Sequence, residues 1–341
     1  MKTISITVAF TVTLLSQIIL PNTHTHILQF KELYGWKKTK ISSTFKRYLS
    51  QLPNHHPIKK FSKSKKLDIS KEKNIKQFIE THFKPVLISD SKYKPLITGY
   101  HVMICKGSRK KTAIYNTPIH RYIPKHPWYN KKTHTEILKG DFGPEESIIA
   151  WLKDPIDRYF LMVQGSGIIR FQDGTEQTIQ VEKGNGYSYT SISQYMIDKD
   201  YITEEERNGP FIKAYLHQHP RKQLEILSQN LSYIFFKEIS HDSIRGAANT
   251  ALTPLESIAI DKSIYPYHSL FWIEADIPKK THSYINSIKK DHHSFLAIGL
   301  DRGGAIKGPQ RADIYFGKTH DAEWQAGHMK DRQGRLIYLK W

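Results

Sequence analysis

Two carboxylates, Asp301 and Asp313, flank a glycine turn near the end of the 341-residue chain. Asp301 closes an apolar run, Phe295–Leu300, that has the texture of a strand. Gly303 and Gly304 then permit a tight, open turn with exposed backbone amides. Asp313 enters a second strand, Ala312–Phe316. Alternation along it puts Asp313 and Tyr315 on one face, Ile314 and Phe316 on the other. Carboxyl groups at the ends of neighbouring strands suit acid–base chemistry. Burial would raise the pKa of such a group and keep it protonated near neutrality. The same spacing also fits an Asp that caps a turn and an Asp paired with Arg311 or Lys307, so both readings stay open at this point.

Other chemistries are disfavoured. The stretch Val163–Gly167 lacks the first glycine of a nucleophile elbow, which leaves Ser166 a poor nucleophile. Gly165 and Gly167 begin a dinucleotide fingerprint, but Arg170 stands where its third glycine belongs. Asp291, His292 and His293 lie in a Lys-rich polar stretch without a metal-binding frame, so they read as surface residues and no metal or other cofactor is expected. The single cysteine, Cys105, excludes an internal disulfide.

The elements that must position the carboxylates are mostly short strands. Ser257–Ile260, Leu270–Ala275, Phe295–Leu300 and Ala312–Phe316 have the spacing of a small barrel or sandwich. Upstream, Lys94–Met103, Ala113–Ile123, Tyr159–Val163, Gly167–Phe171 and Ser232–Lys237 read as strands, with a hairpin turn at Asp173-Gly174 leading into Gln177–Val181. Helix is expected over Lys71–Phe83 behind a Ser70 cap, and over Phe211–Gln229 with a break at Pro220. Thr203 and Glu206 have the spacing of a capping box. Residues 30–72 read as a variable basic lead-in with one short helix. The order is β-rich, then mixed, then β-rich again, so one domain can be inserted in another whose two ends complete one barrel.

The formal net charge of +19 attracts polyanions. The basic runs carry no zinc-finger, RNP-like or basic-zipper pattern, which argues against nucleic acid. Carboxylate-rich stem peptides and anionic envelope polymers fit equally well. Lys2 precedes a stretch from Thr3 to His26 without charged residues, apolar around Ile4–Leu20, that reads as a secretory signal or N-terminal anchor. No cysteine follows it, so lipid attachment there is not expected, and a periplasmic location, in association with the outer membrane or free of it, is.

At Asp301–Gly317 the chain resembles the membrane-bound lytic murein transglycosylase A family, whose C-terminal segment is named for three aspartates. Further blocks resemble it in the right order from about residue 73 onward: Thr98-Gly-Tyr100, Trp151–Asp157, Val163–Gly167, Gly184–Tyr189, Asn230–Phe236, Ala251–Pro254, Ser257–Asp261 and Ala326-Gly327. The chain departs from the pattern at His101-Val102-Met103, at Tyr267-His268 and at Arg302.

The resemblance implies a mainly β fold: a double-psi β-barrel with an inserted second β-rich domain and a few helices. On it, residues 1–26 are the signal or anchor, 27–132 the first part of the barrel, 133–243 the insert and 244–341 the rest of the barrel. The implied reaction cuts the β-1,4 bond between N-acetylmuramic acid and N-acetylglucosamine in peptidoglycan and leaves a 1,6-anhydro end. Asp313 matches the catalytic acid/base. Asp301 is expected to hold Asp313 or the substrate by hydrogen bonds and, as a nearby like charge, to raise the pKa of Asp313. Asp261 matches the third aspartate, with a structural role. Tyr100, Gln164, Ser166, Gly304 and Lys307 are expected to meet the sugar. The implied partner is the glycan strand. A monomer is expected, and envelope or divisome proteins are candidate associates.

Overall fold

The computed structural model describes residues 23–130, 132–240, 244–279 and 288–341. Among them the strands form two sheets. The larger is a nearly closed barrel in the order Thr23–Ile27, Lys84–Asp90, Arg335–Lys340, Ser269–Pro278, Lys290–Asp301, Ser257–Ile260, Arg311–Tyr315, Leu96–Tyr100 and Lys330–Asp331. Two of its pairings are parallel, Ser257–Ile260 with Lys290–Asp301 and Arg311–Tyr315 with Leu96–Tyr100. The fold is the expected double-psi β-barrel carrying a second β-rich unit.

The smaller sheet runs Thr117–His120, Ile148–Leu152, Met103–Ser108, Ser166–Phe171, Glu176–Gly184 and Ile234–Ile239. The chain therefore passes from the larger sheet to the smaller one directly after Tyr100. The cause is local. Only His101 and Val102 separate the two strands, so one extended stretch of β-branched and apolar residues serves two sheets. The chain returns to the barrel at Ser257–Ile260.

Tyr159–Val163, expected as a strand, is the second half of a helix, Pro155–Gln164. Asp154 accepts from the Asp157 amide at 2.8 Å, Pro155 fits the first turn, and Gly165 closes the helix with φ +74°. These end signals outweigh the β propensity of the interior. The opposite happens at Thr203 and Glu206, whose reciprocal bonds form at 2.9 and 3.3 Å but start no helix. Ser70 bonds Asp68 instead of capping the helix, which begins at Glu72.

Residues 30–72 carry more order than a lead-in. Helices Ser42–Gln51 and Pro57–Ser64 pack with Glu72–His82 on the outside of the barrel. Phe45, Tyr48 and Leu49 meet Ile75, Phe78 and Ile79, above barrel residues Trp272, Leu296, Ile298 and Leu300. Burying each such side chain contributes about 1.5–3 kcal/mol. The carboxylate of Glu72 accepts from the Ile41 and Ser42 amides, tying the third helix to the start of the first.

The expected signal falls mostly on residues outside those described. Its last part differs: Thr23–Ile27 forms a strand paired antiparallel with Lys84–Asp90. Among the described residues, no helix is long and apolar enough to cross a membrane.

Candidate active site

The site begins as a row across four strands. Thr98 stands opposite Asp313, Asp313 opposite Ala259, and Ala259 opposite Asp301. Directly opposed residues put their side chains on the same face, so one alignment gathers the polar groups. The last step depends on a β-bulge. Ile258 pairs with Gly299 and Ala259 with Asp301, which leaves Leu300 as the extra residue. Regular pairing would set Leu300 beside Ala259 and move Asp301 out of the row. Leu300 instead turns toward the helices outside the barrel.

Asp313 is half-buried, and its Oδ1 accepts from the Thr98 hydroxyl at 2.5 Å. Removal from water pushes its carboxyl above the ordinary range, against the opposing pull of Arg311 and of the Thr98 bond. The Arg311 guanidinium donates to the carbonyls of Leu96 and Ala312. Its influence on Asp313 is that of a nearby charge.

Asp301 differs in its bonding. Oδ1 accepts from the amides of Ala247 and Arg302 at 3.0 and 2.8 Å, and Oδ2 from the Tyr100 hydroxyl at 3.1 Å. Burial raises its pKa too, while these three donors lower it and the charge on Asp313 raises it further. Burial is the main push on Asp313, and the like-charge repulsion between the two carboxyls acts on the pair. Burial and the two aspartates also push the Tyr100 hydroxyl well above its usual value, so it stays a donor.

Asp261 faces away from this chemistry. It is buried, and its Oδ1 accepts from the Ser263 amide and hydroxyl while Oδ2 accepts from the Gly308 amide at 2.8 Å. Its carboxylate pins the turn that carries the chain from Asp301 to Asp313. Gly308 has φ +106°, and a Cβ there would lie 2.5 Å from Tyr93 Cβ, so the turn needs glycine.

The remaining expected residues spread out. Tyr100 joins the two aspartates, and its ring packs 5.3 Å from that of Tyr315. Gln164 ends the helix Pro155–Gln164 and accepts from the His101 amide at 2.9 Å, which ties the second unit to the crossing between sheets. Ser166 is buried at the start of a strand, opposite Gln180. Gly304 and Lys307 are exposed, and the Cβ direction of Gly304 points to Tyr189 Cβ of the second unit at 3.6 Å. None of Ser166, Gly304 and Lys307 is joined by a hydrogen bond to either aspartate. His292, expected at the surface, is exposed and bonds Asp276.

Sequence reasoning missed Thr98, Ala247 and Ala259. Thr98 shares a strand face with Tyr100 by alternation, which was a usable signal. The Ala247 amide reaches Asp301 only through long-range folding, and no local pattern announces it.

The fold is a double-psi barrel whose row of strands presents one singly bonded, half-buried carboxyl beside one held by three donors. Two family models match the chain, the MltA specific insert domain over residues 125–237 and the 3D domain over residues 256–340. Membrane-bound lytic murein transglycosylase A of Escherichia coli K12 is 31% identical over 245 residues, 71% of this chain and 65% of that protein's length. The membrane-bound lytic murein transglycosylase of Agrobacterium tumefaciens superposes with a TM-score of 0.75 at 22% identity, over 93% of this chain and 97% of that one. The E. coli MltA structure with bound chitohexaose gives 0.70 at 24% identity, over 87% and 89%. The chain belongs to the membrane-bound lytic murein transglycosylase A family.

Proposed function

We propose that this protein is a lytic transglycosylase that cleaves the β-1,4 bond between N-acetylmuramic acid and N-acetylglucosamine in peptidoglycan, with Asp313 as its single acid/base. One observation carries the reading: burial raises the pKa of both carboxyls in the row, but among the described residues only Asp313 has an oxygen uncommitted to protein donors.

The chemistry follows from that difference. Ordinary glycosidases need two carboxylates, one for the leaving oxygen and one for water or for the anomeric carbon. Asp301, held by three donors, is poorly placed for the second task. The muramyl sugar supplies its own nucleophile, the C6 hydroxyl. Protonated Asp313 gives its proton to the glycosidic oxygen as the bond to C1 breaks. The C6 oxygen bonds to C1, and the Asp313 carboxylate takes the C6 hydroxyl proton, which regenerates the acid. Attack within one sugar ring avoids the entropic cost of bringing in water. Asp301 and Tyr100 act as positioning residues for the row.

The chitohexaose bound by the E. coli relative supports an oligosaccharide strand as the ligand. The names of the relatives support a protein that works at the envelope membrane. The division of the chain into barrel and insert follows sheet membership, with the insert from Met103 to Ile239. Mass spectrometry of sacculi digested by the purified protein is the test. Anhydromuramyl ends, lost in Asp313→Asn, are the expected result. Reducing muramyl ends would make the protein a hydrolase, and sacculus binding without any product would make it a non-enzymatic binder.

A further inference from the structure

A second cleft of about 570 Å³ opens far from the aspartates, between the segment Phe30–Thr39 and the start of the strand Lys290–Asp301. Ser294 lines it, and Asp301 lies seven residues further along the same strand, so the cleft sits about 23 Å from the catalytic row. Its volume is in the range of ligand sites.

The lining has a definite chemistry. Tyr34 lines the cleft and is 55% exposed, and its ring stands at 70° to that of His292, with centroids 4.6 Å apart. Lys37, Lys38 and His293 supply cations or hydrogen-bond donors around it, and no carboxylate lines the cleft. The nearby acids are already engaged: Asp276 with His292, Glu274 with Arg335, and Asp291 with Lys279. Among the described residues, Lys37 and Lys38 have no ion-pair partner. The field around them is one-sided as well. Residues 37–76 contain thirteen Lys and Arg against only Asp68 and Glu72.

We propose that this cleft binds the carboxylate-bearing stem peptide of peptidoglycan, next to a sugar stacked on Tyr34, as an accessory site separate from the catalytic row. The proposal rests on peptidoglycan being the substrate. The physical case is charge complementarity joined to an aromatic platform, the two recognition elements that a glycopeptide offers and a bare glycan does not. An accessory contact on the same polymer raises the effective concentration of the strand at Asp313 without touching the chemistry.

The test uses the full chain with Asp313→Asn, which separates binding from cleavage. Its sedimentation with sacculi is measured for intact sacculi and for sacculi stripped of stem peptides by an amidase. The parent is expected to bind intact sacculi more tightly. Lys37→Gln with Lys38→Gln should weaken binding to intact sacculi about fivefold or more and leave binding to stripped sacculi unchanged. Lys37→Arg with Lys38→Arg should retain the parent's binding, and Tyr34→Ala should weaken both kinds. Equal binding by parent and glutamine variant to intact sacculi, or an equal loss on both kinds, would overturn the proposal. Failure of the transglycosylase reading is seen separately, as absence of anhydro ends in wild-type digests.

Discussion

Asp301 and Asp313 stand in one row of the barrel with the single methyl of Ala259 between them. The smallness of that residue leaves the space between the carboxyl groups open. Ala259 is buried in a cluster with Tyr100, Ile306 and Tyr315, so added volume cannot escape sideways. Ala259→Leu is expected to cost about 1–3 kcal/mol of stability through overpacking and to lower kcat on sacculi far more than it lowers the amount of folded protein. Ala259→Gly keeps the space open and should keep most of the activity. Digestion rates normalised to the folded fraction from circular dichroism check both.

The bond from Thr98 to Asp313 sets the working pH. It lowers the pKa of a carboxyl that burial raises. In the proposed reaction Asp313 begins protonated to serve the leaving oxygen, so activity is expected to fall as pH rises through its pKa. Thr98→Val removes the hydroxyl but keeps the shape. The Asp313 pKa then rises further, and the alkaline limb of kcat/KM should move to higher pH. Loss of positioning should lower the maximum by about ten- to a hundredfold. A lower maximum with an unmoved limb would mean that Thr98 only packs.

Much of the barrel half of this site was legible in the sequence. The strands that carry Asp301 and Asp313 come out of alternation and glycine punctuation. The pairing of Tyr100 with Asp301, and of Thr98 with Asp313, joins residues more than 200 positions apart, which no local pattern encodes. The bulge at Leu300 was equally hidden, because alternation along that strand is regular and the shift exists only against its neighbour. Around Pro155–Gln164 the signals were present, but the apolar, aromatic interior of the helix imitates a strand. In residues 30–72 the lysine density masked the helical stripe of Phe45, Tyr48 and Leu49.

Asp261 tests the turn rather than the chemistry. The bond from the Gly308 amide is buried and the two from Ser263 are part-buried, so Asp261→Ala would strand the Gly308 amide. An unsatisfied buried donor costs about 1–3 kcal/mol, so a loss of roughly 1–3 kcal/mol is expected, read by urea denaturation. Asp261→Asn keeps one acceptor oxygen and should lose less. Activity should follow the folded fraction for both variants, since this carboxylate is bonded to Ser263 and Gly308 and to neither aspartate of the row.

Asp313→Asn should remove activity and stabilise the protein. The folded carboxyl has a raised pKa, so the native state holds its proton more tightly than the unfolded chain does. Its contribution is therefore most favourable below the unfolded value of about 4 and is lost as pH rises through the folded value. Above the unfolded value the wild-type protein must either hold a proton that the unfolded chain has released or bury a charge, and Asn does neither, while the Asn oxygen still accepts from Thr98. The difference in Tm between variant and wild type should be small near pH 4 and grow toward pH 7, by roughly 2–4 °C for each kcal/mol involved. In the variant Asp301 loses the raising influence of the Asp313 charge, which adds to the same trend. Differential scanning calorimetry across that pH range reads the effect. A variant less stable than wild type at pH 7 would show that the Asp313 charge is well solvated, and would remove the physical basis for its role as an acid.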